Sequence, residues 1–521
     1  MSERRTQWYV RATFLTVWCY WLILWRVPVW SQDDLHFANR SRLPLGGLVW
    51  QRLPVQAWQD LDHRNGRLAD MGVQLVMSLR DWIGPTVSLV CLAQVLALYF
   101  LLRPLSDVLQ QRVANPWPRV VVAVLATLLP FATFAQDPTI AGSTVMFLSA
   151  CVGYVGGSAL LFVCLRQLWE TSRRPSPRLA GVTVLLCWWA CLHHELLALA
   201  LVGACVALLL VSKRSATLWA TAIPVCLVGL GRFAARGLWA RRAYRRSPFP
   251  QDGYPGWQQS LGNAVHSSTQ LVVHHPLILG CGLVGVLALL VAASRTEGLA
   301  TRRFAVALAA DGAVLTLLAH RVNSRAWRDG LFQPRMQTYQ SISAAAVLLA
   351  LAVLVALLVL AAWQLRSVPG GAVVGMLLGA ALGAVAMPTA MGAPGGRMMY
   401  FGLTLVLVVA AASSLAAVAL TWGCGVETSA LATAALVVIC GSGVQSATSL
   451  APAVERNIQA WRPTLVEIQR VKEGKASRVH VLRDLPYPQY SENYIVLHPK
   501  TLQPRLMFYY GLDEATPVIV R

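Results

Sequence analysis

Asp33 and Asp34 stand side by side shortly after Trp30, where the first long apolar run of the chain ends. Tryptophan favours the membrane–water interface, so a carboxylate pair at that depth faces whatever lipid-linked head group lies at the bilayer surface. A carboxylate so placed can take the proton of a hydroxyl, and two neighbouring carboxylates repel, which raises one pKa toward a useful value. The plainer alternative is that the two acids end a helix and meet solvent. Arg67, Arg232 and Arg397 are candidates for the other half of such a reaction. A guanidinium matches a phosphate bidentately and offsets the charge that builds on it as it departs. For each arginine alone, a role in topology or in lipid head-group contact explains it as well.

A second polar group, His193, His194 and Glu195, interrupts the apolar segment 179–212. Polar groups at that depth need a cavity or partners. They could bind a metal or orient an acceptor, although adjacent residues on a helix point about 100° apart, so the two histidines do not share a metal without outside help. A satisfied polar cluster lining a cavity is the competing reading. Asn65, close to Asp60, Asp62 and His63, is explained equally by an acceptor contact, a helix cap or loop hydrogen bonding. His274-His275 before Pro276 reads as a helix start, and Asp137-Pro138 as a turn. The cysteines, such as Cys91, Cys151, Cys187 and Cys281, lie inside apolar runs without metal-ligand spacing and read as small core residues. A divalent metal requirement stays open.

The elements that must hold these residues are membrane spans. Of the 521 residues 56% are hydrophobic and only 13% charged, about half the charged share of a soluble domain. The fold class is therefore an all-α polytopic membrane protein. The net charge of +21 would suggest nucleic acid in a soluble chain; here it sits mostly in short loops, where topology and anionic lipid account for it. Runs of the roughly 20 residues that a bilayer requires can be laid at 11–30, 82–102, 118–135, 143–165, 179–192, 196–212, 216–234, 275–294, 304–320, 341–363, 369–388, 399–421 and 430–449, about thirteen spans.

If Arg4 and Arg5 are cytoplasmic, the short loops with Arg103 and Arg112, Arg173 and Arg174, Lys213 and Arg214, Arg302 and Arg303, and Arg366 also fall inside, as the positive-inside rule asks. The loops 31–81, 235–274 and 321–340 then lie outside. So does the tail, because an odd span count puts the termini on opposite sides. In the first outer loop Trp50, Leu53, Val55, Trp58 and Leu61 have the spacing of an interfacial helix. Residues 1–450 form the multi-span domain. Residues 451–521 form a small extracytoplasmic α/β appendage, with a polar helix at 452–474 and strands at 479–482 and 517–520, marginal for independent folding and so docked on the membrane part. The chain carries no Gly-rich phosphate loop, which argues against a cytosolic nucleotide site.

The order of these features, an outward Asp33-Asp34 after the first span, a long first outer loop, an odd set of spans and a small outward C-terminal domain, resembles the GT-C superfamily of membrane glycosyltransferases. Asn65-Gly66-Arg67, His194-Glu195, Gly396-Arg397 and the closing Phe508-Tyr509-Tyr510-Gly511 further resemble the bacterial branch similar to phage-type O-antigen glucosyltransferases. The resemblance implies transfer of a sugar from a polyprenyl-phosphate carrier to a cell-envelope glycan or lipid acceptor on the outer face, with Asp33 or Asp34 as base. Where many relatives have an aromatic residue after the acid pair, this chain has Leu35 and His36. The main competitors are a transporter or lipid-linked glycan flippase, which would show repeats and mid-membrane charge, and a non-catalytic scaffold, which needs no acid pair.

Overall fold

A computed structural model describes residues 2–31, 34–35, 67–79, 82–212, 215–234, 257–298, 301–328, 342–390, 399–422, 426–491, 494–497, 499–513 and 515–521. The interfacial helix expected around Trp50 to Leu61, and the candidates Asp33, Asn65 and Arg397, lie outside the described residues. What is described is almost wholly helical. In chain order the helices are α1 (Glu3–Trp21), α2 (Ala69–Ser78), α3 (Ile83–Val113), α4 (Pro118–Ala132), α5 (Pro138–Thr144), α6 (Leu148–Arg173), α7 (Pro177–His193), α8 (Glu195–Val211) and α9 (Ala216–Gly231). They continue with α10 (Trp257–His274), α11 (Pro276–Thr296), α12 (Thr301–Arg328), α13 (Ile342–Gln364), α14 (Gly371–Ala390), α15 (Tyr400–Thr421), α16 (Val426–Lys472) and α17 (Pro499–Tyr510). A two-stranded parallel ladder pairs β1 (Val479–Val481) with β2 (Val518–Val520).

Seven helices among the described residues are long and apolar enough to cross a membrane, and four shorter ones are apolar. Burial ranks them: α15 is central, with 89% of its apolar window buried, whereas the corresponding windows of α12 and α13 are 22% buried and rim the bundle. Large apolar side chains such as Leu185, Leu227, Val306 and Leu317 are exposed. A surface of that kind suits lipid, since soluble monomers rarely expose large contiguous apolar patches.

In lipid, helices associate by close packing rather than by hydrophobic burial, so small residues mark the tightest seams. Gly375, Gly379 and Gly383 recur every fourth residue along one face of α14, and that face meets α8. A Cβ on Gly379 would stand 2.3 Å from the carbonyl oxygen of Gly203, and one on Gly383 would stand 2.1 Å from that of Leu199. Glycine alone permits this approach, which fixes the depth of α8 and hence of Glu195 at its head.

The segment 179–212 consists of two helices, α7 and α8, joined through the single extended residue His194 (φ −154°, ψ 139°). Three local expectations change. Asp137 caps α5, its carboxylate accepting the Thr139 N–H at 3.0 Å, so Asp137-Pro138 opens a helix rather than making a turn. The polar helix expected at 452–474 is the upper part of α16, which continues unbroken from the last apolar segment through Pro452 and Pro463. At 1.5 Å per residue its 47 residues span about 70 Å, more than twice the hydrocarbon thickness of a bilayer. Between β1 and β2 the chain adds two short 3₁₀ turns and α17, so strand content is two three-residue pieces.

Candidate functional site

The head of α6 organises the polar residues that the sequence singles out. This helix starts at Leu148, widens into a π-helical turn over Cys151–Val155 and resumes α-helical geometry at Gly156. A π turn inside a helix costs stability and is found mostly where function needs a side chain or a carbonyl redirected. Four connections converge on it. Asp34 meets the first N–H groups, His193 meets the Gly153 carbonyl with Nε2···O 3.3 Å, and Tyr154 packs edge-on against His194 with ring centroids 5.1 Å apart. Gly72 of α2 lies against Val152.

Asp34 does not meet solvent. It is 1% exposed, and its Oδ1 and Oδ2 accept the N–H groups of Ser149 and Leu148 at 2.7 and 3.2 Å. The first N–H groups of a helix have no partner within it, so Asp34 caps α6 from a remote part of the chain and places negative charge at the positive end of its dipole. Burial nevertheless raises its pKa from 3.8 to about 6, against the opposing pull of the hydrogen bonds from Ser149, Ser31 and Leu148. The local conformation follows from Ser31. Its Oγ accepts the Asp34 N–H at 3.0 Å and its carbonyl accepts the Leu35 N–H at 3.1 Å. Ser-x-x-Asp is an N-cap signature, so Ser31-Gln32-Asp33-Asp34 was a readable signal for a helical turn that begins inside the acid stretch.

Arg67 and Glu195, 128 residues apart, form a forked ion pair: Nε donates to Oε2 at 2.7 Å and Nη2 donates to Oε1. Their side chains are 11% and 2% exposed. The next residue, Leu68, anchors this strand of chain by donating its N–H to the Leu192 carbonyl at 2.9 Å. His194 is a cap. Its Nδ1 accepts the Leu196 N–H at 3.2 Å, so that nitrogen is unprotonated and its 3.5 Å approach to Glu195 Oε2 is not an ion pair. Glu195 itself occupies the first turn of α8, where a carboxylate is favoured.

Arg232 completes the group. It ends α9 and is 3% exposed, and among the described residues its Nε, Nη1 and Nη2 find no hydrogen-bond partner. Among the described residues, the charges that act on it most are the carboxylate of Glu195 and the guanidinium of Arg67. Glu195 is thus paired with Arg67, while Arg232 feels that carboxylate without an ion pair to it. A buried cation with every donor idle costs several kcal/mol, and an anion with several acceptor oxygens is the group that would satisfy it.

Above these residues, the start of α15 closes the cluster. Phe401 stacks on Tyr154 and tilts against His194, both with centroids 5.5 Å apart. Tyr400 accepts from Gln94 Nε2 at 2.5 Å, and Gln94 also donates to Ser158 Oγ at 2.7 Å. Gln94, Ser158, Tyr154 and the aromatic pair at 400–401 carry no motif, and no signal in one sequence could have grouped them. Of the candidates, Asp34, His193, His194, Glu195, Arg67 and Arg232 therefore gather around α6, α7 and α8. Among the described residues no group of three His, Cys, Asp or Glu side chains converges as a metal site; His194 and Glu195 are engaged as a cap and an ion pair instead. Comparison of the chain with protein-family models, with curated proteins and with solved structures returns no match.

Proposed function

We propose that this protein is a membrane glycosyltransferase of the GT-C kind, moving a sugar from a polyprenyl-phosphate carrier to a glycan or lipid acceptor of the cell envelope. The observation that carries the reading is Arg232, a buried guanidinium with idle donors beside the Arg67–Glu195 pair. A phosphate seated there would receive Arg232 bidentately and balance the second positive charge. In the reaction, the acceptor hydroxyl oxygen bonds to the anomeric carbon of the sugar while the bond from that carbon to the phosphate oxygen breaks. The hydroxyl proton passes to a carboxylate, and polyprenyl phosphate leaves with one more negative charge. Asp33 is the base in this scheme, because the oxygens of Asp34 are occupied by the N–H groups of Leu148 and Ser149. Asp34 holds the turn and the head of α6, and Arg397 is a further candidate for the donor.

The topology that goes with this function has thirteen crossings, a cytoplasmic N-terminus and an extracytoplasmic C-terminal part. Its support is the seven helices long and apolar enough to cross a membrane and the four shorter apolar ones among the described residues. Glu3, Asp107 and Arg119 meet at one end. Arg26 and Glu455, and Trp30 and Ile495, meet toward the other. The test is transfer of radiolabelled hexose or pentose from synthetic polyprenyl-phosphate sugars to envelope extracts by the purified protein, with Arg232→Gln alongside. Transfer by the wild type and a donor KM raised at least tenfold in Arg232→Gln are expected. Wild-type protein that neither transfers any sugar in the panel nor binds polyprenyl phosphate more tightly than Arg232→Gln does would overturn the reading.

A further inference from the structure

The chain just before the acid pair is held by the far end of the sequence. The Ile495 N–H donates to the Trp30 carbonyl at 3.0 Å, and Tyr494 forms an isolated antiparallel bridge with Ser31. Trp30 is buried against Trp461 of α16, which in turn meets the Tyr494 ring, with centroids 6.3 and 5.6 Å apart and both pairs edge-on. Tyr494 is itself tethered, its hydroxyl donating to the Leu482 carbonyl next to β1 at 2.8 Å. The neighbouring loop is pressed onto α5: a Cβ on Gly142 would stand 2.1 Å from the Gln489 carbonyl oxygen. The same Ser31 caps the turn that carries Asp34, and Asp34 caps α6.

We infer that Tyr494 and Ile495 are positioning residues for Asp34: the C-terminal segment clamps Trp30 and Ser31, and through the Ser31 cap it sets the turn that carries Asp34 against the head of α6. The catalytic part of the inference rests on the glycosyltransferase reading; the mechanical part does not. A docked appendage that only shielded the bundle would bury side chains, whereas this one supplies a backbone hydrogen bond and a strand-type bridge two and three residues before Asp33. Removing that one donor frees residues 30–31 to move, and the turn moves with them. Among the described residues, no hydrogen bond, ion pair or ring contact links Tyr494 or Ile495 to Arg67, Glu195 or Arg232, so donor binding is left alone.

Ile495→Pro tests this in the full-length protein. Ile495 is the first residue of a 3₁₀ turn, a position where proline is tolerated because its ring pre-sets φ; because its side chain is fully buried, Ile495→Ala, which trims the side chain but keeps the N–H, separates lost packing from the lost donor. Ile495→Val, which keeps the N–H, is the control. Tyr494→Phe is the second variant, keeping the ring and losing only the tether to Leu482. Hydrogen exchange at the Asp34 and Leu35 amides should quicken about tenfold in Ile495→Pro, as expected for loss of one supporting hydrogen bond, and about threefold in Tyr494→Phe. It should stay at the wild-type rate in Ile495→Val. With polyprenyl-phosphate sugar as donor, kcat should fall about tenfold in Ile495→Pro while the donor KM holds, and Ile495→Val should retain turnover. Unchanged exchange in both Ile495→Pro and Tyr494→Phe overturns the clamp. Faster exchange with unchanged kcat overturns its catalytic role. Faster exchange in a protein that shows no transfer in any form upholds the clamp and removes the function it was assigned to serve.

Discussion

Glu195→Gln isolates the charge logic of the site. The amide keeps the size of the carboxylate and still accepts one N–H from Arg67, so the change is almost purely electrostatic. In the wild type Glu195 pairs with Arg67 and its charge also acts on Arg232, and both it and Arg232 are 3% exposed or less. Removing one partner of a buried ion pair leaves an uncompensated charge and costs about 3–5 kcal/mol. Here the buried Arg67 and Arg232 charges also repel each other, so the upper part of that range is expected. Thermal unfolding in detergent, with wild type and variant scanned at one rate because membrane proteins often unfold irreversibly, should show the variant well below the wild type. The excess positive charge also makes a sharper claim: polyprenyl phosphate should protect the variant more than the wild type, since the anion now meets two unopposed cations. At a hundredfold excess over Kd a ligand contributes about 2.7 kcal/mol, enough to recover roughly half of the loss. The double variant Arg67→Met with Glu195→Leu removes both charges of the pair and should regain most of the stability without regaining donor binding. A Glu195→Gln midpoint equal to the wild type, or single changes whose effects simply add in the double variant, would refute the coupling.

Other expectations follow from the same residues. Burial holds the Asp34 carboxyl at about 6, above the 3.8 of the unfolded chain, so the native state binds this proton more readily. Stability should therefore fall by about 3 kcal/mol as pH rises from 4 to 6 and stay level above it, and an Asp34→Asn variant that keeps the same pH slope would contradict this. Asp33→Asn should reduce transfer at least a hundredfold with normal membrane accumulation, whereas Asp34→Asn should lower the unfolding temperature as well, because it disturbs the cap on α6; equal thermal stability of the two variants would count against the division of labour. Arg397→Lys should raise the donor KM and Arg397→Gln should raise it further, with identical donor dependence in both assigning Arg397 to the membrane surface. Cysteines introduced at 40–60 and after 475 should label from outside and those at 173–177 from inside, and labelling of the tail from the cytoplasm would reverse the odd span count.

The sequence revealed spans more readily than sites, for a physical reason. A bilayer imposes length and apolarity on each segment independently, so runs such as 143–165, 179–192 and 275–294 are legible one at a time. The site depends on which ends meet, and that is set by contacts such as the Gly379–Gly203 approach, which one sequence does not encode as a pattern. Arg67 and Glu195 were both named as candidates, yet nothing in their spacing of 128 residues says that they pair. Asp34 shows the same limit from the other side. Its motif was visible, but two adjacent aspartates look interchangeable until one of them is found accepting the N–H groups of Leu148 and Ser149. The Ser31-x-x-Asp34 spacing was the one local clue that the two differ, because an N-cap pattern singles out Asp34. In the proposed mechanism that commitment is what separates the roles: Asp34 is held through the N–H groups of Leu148 and Ser149, and its neighbour in the sequence is left as the candidate base.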